Sequence, residues 1–323
     1  MRVKNLLISV VMIGLVGYGG LKFYMYYKAK GLITDVLACA GMPQGATNSL
    51  LFDYKMLSVS VFGQVGIKDL SFHNPVLDED ISIDEIRLEK LDYEGELKSC
   101  PVPERLFIVI DGLRMNVSLL EKMERMEKQV RQKHNIKTQD KPQIIRRLGY
   151  QSVFDRLDDY RDLGYDQLVM DLEFDVKLDS AKKEATIRFK QSIEDMGDTE
   201  MEFVFAGMAK TISTAILGVQ VKEAKIVFRD DSYMDRLIKL YAEENNTSID
   251  EYRKQLIVRI DKDIASKDIK LSKESIENIK SFIQKPDRII LTAYPFRPVG
   301  IESIKHYKPG DVPMLLNLQA HLE

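Results

Sequence analysis

Residues 6–27 read LLISVVMIGLVGYGGLKFYMYY, and no other stretch limits the fold as firmly. Residues 6–21 carry no charge, and beyond Lys22 the apolar and aromatic run continues to Tyr27. As a helix rising 1.5 Å per residue it would measure roughly 33 Å, about one bilayer core. Lys22 stands one turn from the end, where a long side chain snorkels to the headgroups. Tyr24, Tyr26 and Tyr27 with Lys28 and Lys30 have the make-up of an interfacial belt. The expectation is a single-pass membrane anchor over residues 1–30, marked by Leu6, Val11, Leu15, Leu21, Tyr24 and Tyr27.

A cleaved signal peptide is the rival reading, with Arg2 and Lys4 as its basic start. The apolar run exceeds the 7–15 residues of a signal core, and no small-residue cleavage site follows closely. Arg2 and Lys4 are balanced by Lys22, Lys28 and Lys30, so charge discriminates little between orientations. The short leading tail makes an inside N-terminus the simpler topology. That places the protein in the inner (plasma) membrane with its bulk in the periplasm.

The rest is ordinary globular material, 45% hydrophobic and 30% charged over the chain with a net charge of −3, which gives no basic field for nucleic acid. Residues 31–50 form a neck broken by Gly31, Gly41, Pro43 and Gly45. The two cysteines, Cys39 and Cys100, leave two readings open. They pair, closing a loop that stabilises by roughly 4 kcal/mol, or they are unrelated thiols.

Beyond the neck the hydrophobic period becomes two. Leu57, Val59 and Val61 alternate with serines, Ile67, Leu70 and Phe72 return, and residues 81–89 and 106–115 supply two more strands of an antiparallel meander. GIKDLSF (66–72) echoes VIDGLRM (109–115). The simpler reading is two strands of one type, and an internal repeat is the alternative. From Ser118 the period turns helical, and the polar run 134–142 is the candidate boundary between a first β-rich lobe (51–140) and a second α+β lobe (141–323).

Residues 168–178 alternate strictly, Met170, Leu172, Phe174, Val176 and Leu178 against Asp171, Glu173, Asp175 and Lys177. That pattern predicts a one-faced strand. Hairpin partners follow at 185–190, 200–206 and 220–228. Three helices come next, the second opened by Ser248 with Glu251 and the third by Ser272, and strands at 288–295 and 312–322 finish the chain. The fold class expected is α+β: an N-terminal transmembrane helix followed by antiparallel β-sheet lobes with inserted amphipathic helices.

No catalytic or metal constellation emerges. His73, His134, His306 and His321 lack neighbours at ligand spacing. Ser180 and Lys183 match Ser-x-x-Lys but fall in a predicted hairpin turn, where neither is desolvated. No cofactor is expected and the chain does not read as an enzyme. Met170, Leu172, Phe174, Val176, Phe203 and Phe205 are the apolar candidates, closing on helices as a core or leaving a lipid-sized groove.

The order of anchor, neck, GIKDLSFHNP (66–75) and ISIDEIRLE (81–89) resembles the opening of the AsmA-type family, inner-membrane-anchored periplasmic proteins of Gram-negative bacteria. The resemblance implies a β-rich envelope protein linked to outer-membrane lipid homeostasis, with hydrophobic grooves for acyl chains. It supplies no catalytic motif, so no site residues are carried over. This chain departs from it by its shortness and by the helical segment 231–284. Two functions are therefore expected: an envelope protein that binds lipid or supports outer-membrane assembly, or an adaptor subunit of a membrane complex that contacts other envelope proteins through its transmembrane helix.

Overall fold

The computed structural model describes residues 51–59, 64–74, 78–92, 104–122, 125–126, 158–208, 218–304 and 306–323. Within them one antiparallel sheet of eleven strands replaces the separate sheet-bearing lobes that were expected. Its strands are β1 (Leu51–Val59), β2 (Val65–Asn74), β3 (Glu79–Asp92), β4 (Arg105–Asn116), β5 (Gln167–Asp179), β6 (Glu184–Ile193), β7 (Gly197–Ala206) and β8 (Gln220–Asp230), then β9 (Arg288–Ala293), β10 (Val299–Gly300) and β11 (Leu318–Leu322). They lie side by side in chain order from β1 to β9, then β11, with β10 pairing on β8. The two blocks join because β4 and β5 pair along their length, Ile108 opposite Phe174 and Asn116 opposite Gln167.

The expected transmembrane helix is a further correction. Among the described residues no helix is long and apolar enough to cross a membrane. The longest, α3 (Ile249–Ser266), carries charges on every turn. The inner-membrane, periplasmic placement that rested on such a span is not retained. Leu6, Val11, Leu15, Leu21, Tyr24, Tyr27, Cys39 and Cys100 lie outside the described residues.

The echo between 66–72 and 109–115 marks a shared irregularity. Asp69 and Gly112 both take positive φ, 51° and 62°. The strand ladders skip the Lys55/Asp69, Asp69/Asp84 and Asp84/Gly112 positions while pairing on either side. A transverse crease thus crosses β1 to β4 and ends in a register shift against β5, where the Gly112 N–H donates to Asp171 Oδ1 at 2.7 Å. Across the crease the apolar set changes parity: Ile67, Ile86 and Ile110 oppose one another before it, and Phe72, Ile81 and Met115 after it. Residues directly opposite share a face, so one face remains apolar along each whole strand.

Helices cover part of that face. Residues 117–122 are helical, and Val117 and Leu119 are almost wholly buried. They open the β4–β5 connection, which ends in α1 (Asp158–Asp162). Tyr160, Leu163 and Tyr165 join Leu168 and Met170 of β5 and Tyr233 and Leu237 of α2 (Tyr233–Glu244) in the core. The Asp230 carboxylate accepts the Met234 N–H at 2.9 Å at the start of α2. Ser248 accepts the Glu251 N–H to open α3, and Ser272 accepts the Ser275 N–H to open α4 (Lys273–Gln284), as their sequence signatures predict. The last segment differs from a strand over 312–322. Val312–Leu315 forms one turn, α6, after the turn α5 (Ile301–Ile304), and Asn317 at φ 47° re-aims the chain into the five residues of β11.

Candidate functional site: an apolar lane across the sheet

Register places one side chain from each of nine strands in a single transverse row: Val65, Leu88, Ile108, Phe174, Phe189, Met201, Ile226, Leu291 and Ala320. Every member is apolar. With neighbouring strands about 4.8 Å apart the row runs for roughly 38 Å. A second row lies beside it, Leu106, Val176, Ile187, Phe203, Ala224, Ala293 and Leu318. Phe203 and Phe205 stack with ring centroids 5.9 Å apart.

Helices seal two borders of this surface. At one, α2 packs over Met170, and Leu172 is partly buried beside it. At the other, Phe282 of α4 meets Phe228 edge to face at 6.0 Å. Between them the lane is half-buried, and Phe174 is 36% exposed. The sequence candidates therefore separate: Met170 belongs to the helix-covered core, whereas Phe174, Val176, Phe203 and Phe205 line the less covered part. The lane itself was missed because it is a product of register, and no window of sequence contains it.

The opposite face is laced with ion pairs. Arg87 binds Glu85 at 2.9 Å, Glu89 at 3.1 Å and Asp111, Arg105 reaches Asp175 at 3.0 Å, and Lys190 lies 3.5 Å from Glu173. Such half-exposed pairs give a solvated, specific surface and little net stability each. A concavity of about 390 Å³ on this face is lined by Val109, Asp171, Glu173, Lys190 and Glu200, among others. Among the described residues no group of three or more His, Cys, Asp or Glu side chains is placed to hold a metal. His73 Nδ1 lies 2.8 Å from Asp80 Oδ1. Ser180 faces Glu104 at 3.5 Å and lies in the hairpin turn that its sequence predicts.

A family model described only as an uncharacterized protein matches residues 171–323, from β5 to the end of the chain. No curated protein and no solved structure matches the chain. The AsmA-type resemblance rests on the order of anchor, neck and the segments 66–75 and 81–89, all outside the matched stretch.

Proposed function

We propose that this protein is a non-catalytic binding scaffold whose apolar lane seats the apolar side of an amphipathic helix from a partner protein. One observation carries the reading: nine strands each place an apolar residue in one unbroken row, and its middle members are only half-buried. A contiguous apolar surface of this extent marks an interaction site. The kind of occupant follows from what the same face already accepts. Tyr233 and Leu237 of α2 pack over Met170, and Phe282 of α4 packs on Phe228. A helix of about 25 residues would match the length of the row. Acyl-chain binding, the function implied by the AsmA-type resemblance, is the rival outcome of the test.

The test places a photo-crosslinking residue at position 174 or 203 of the full chain in its native host. The reading expects a protein adduct whose cross-linked peptide has helical apolar periodicity and whose yield falls about tenfold in Phe189→Glu. Adducts to lipid alone, or none above a control at the exposed Lys182, overturn it.

A further inference from the structure

Among the described large hydrophobic residues, five of the eleven that are exposed fall in one stretch: Tyr294, Phe296, Ile301, Tyr307 and Met314. Phe296 is 94% exposed. Burying a phenylalanine side chain is favourable, so one left almost wholly solvated on a segment held at both ends calls for a reason.

The segment is held at both ends. Asn317 Nδ2 donates to the Tyr294 carbonyl at 3.1 Å, and Val299 and Gly300 pair with Val221 and Gln220 of β8. The Ile301 N–H then reaches the Val219 carbonyl at 3.2 Å. Between these anchors runs Pro295-Phe296-Arg297-Pro298. Each proline fixes its own φ and restricts the residue before it, so Tyr294 and Arg297 lose freedom in the unbound chain as well. The ordering cost of presenting Phe296 is met before any partner arrives, which is the condition for a side chain to anchor an interface. Arg297, next to Phe296 in the chain, is exposed as well.

The complementary surface is present on the same chain. The concavity on the charged sheet face has the buried Val109 in its lining, and the exposed Asp171 and Glu200 among its carboxylates. Of its five carboxylates, Asp111, Glu173 and Asp198 pair with Arg87, Lys190 and Arg229, which leaves Asp171 and Glu200 outside any ion pair among the described residues. An aromatic ring beside a guanidinium fits a hollow of this chemistry, with the ring desolvated and the charges opposed.

We propose that Phe296 and Arg297 form the plug of a head-to-tail contact between copies of this chain, entering the concavity beside Val109, Asp171 and Glu200 of the next copy. Plug and socket are different patches, so the contact is heterologous and extends into rings or open chains with concentration. It is independent of whatever occupies the apolar lane.

Sedimentation velocity on the full chain across protein and salt concentration tests this. The expected result is a mass that rises with concentration and falls with added salt. Phe296→Ser and Glu200→Arg should each weaken association about tenfold or more, with unchanged circular dichroism. Arg297→Glu should weaken it too, and Arg297→Glu combined with Glu200→Arg should restore it. A photo-crosslinker at position 296, in a mixture of isotopically light and heavy protein, should give mixed adducts to the β7 peptide containing Glu200. A mass constant with concentration overturns the proposal. So does association unaffected by these substitutions, or cross-links that reach another surface.

Discussion

Asp84 and Gly112 stand so close across β3 and β4 that a Cβ on Gly112 would lie 2.1 Å from Asp84 Oδ2. Moving Asp84 aside would break its pair with Arg114, which grips both its oxygens, one at 2.8 Å. Gly112 also sits at φ 62°, where a side chain is strained. Gly112→Ala should therefore destabilise by about 2–3 kcal/mol, read as a lower urea midpoint. A loss under half a kcal/mol would mean that the crease gives way easily.

Ser275 is 1% exposed and accepts the Ala320 N–H at 3.0 Å, while Asn278 donates to the Ala320 carbonyl at 2.8 Å. Both outward backbone groups of the central residue of β11 are thus satisfied by α4 side chains. Ser275→Ala strands a buried N–H and should cost about 1–3 kcal/mol. Amide exchange at Ala320 should accelerate well beyond that at Ile290, and equal acceleration would assign the loss to general loosening.

Two carboxyls give stability opposite dependences on pH. Burial raises the Asp230 carboxyl to about 6 from 3.8. The folded state binds that proton more tightly, so the contribution is full below pH 3.8 and lost as pH rises through 6. Asp230→Asn should stabilise at pH 7.5 by on the order of 1 kcal/mol, after allowance for half-exposure, and do nothing at pH 3.5. Hydrogen bonds from Lys122, Ser118 and Asn116 hold the Glu79 carboxyl down to about 2 from 4.5. Its contribution is present above 4.5 and lost as pH falls through 2, so Glu79→Gln should flatten the acid limb. Urea midpoints that keep a constant gap between variant and parent across pH would overturn the assignment concerned.

Met170 and Phe174 lie on the same face of β5, four residues apart, yet Met170 is 6% exposed beneath α2 and Phe174 36%. Met170→Ala should cost about 2–4 kcal/mol and Phe174→Ala about 1 kcal/mol. Equal losses in a denaturation series would mean that the lane is as well covered as the core.

Much of the fold was legible where a signal is local. The alternation from Met170 to Leu178 gave β5 its face, and Ser248 and Ser272 announced two helix starts that the hydrogen bonds bear out. What escaped was relational. The pairing of Ile108 with Phe174 joins residues sixty-six apart, across a polar stretch that looks like a boundary, and only the hydrogen-bond ladder reveals one sheet. The crease was half visible: Ile67 and Leu70 break a strict alternation, and so do Ile110 and Leu113, but reading those breaks as one line needs the register of β3 between them. Phe296 left a trace in its flanking prolines, whereas its exposure depends on Asn317 and β8, which no pattern in that segment discloses.

Because the strands from β1 to β9 lie in the order in which they occur in the chain, the sheet can lengthen vectorially as the polypeptide is synthesised. Each new strand finds its neighbour already in place, with long waits between β4 and β5 and between β8 and β9. During that growth the newest strand always offers unpaired backbone to any other nascent chain. Relief comes late and in a set sequence: α4, which carries Ser275 and Asn278, leaves the ribosome before β11, so the stopper is made ahead of the edge it closes. A ribosome stalled short of residue 318 would hold a sheet that lacks β11, the strand whose outer edge α4 caps at Ala320.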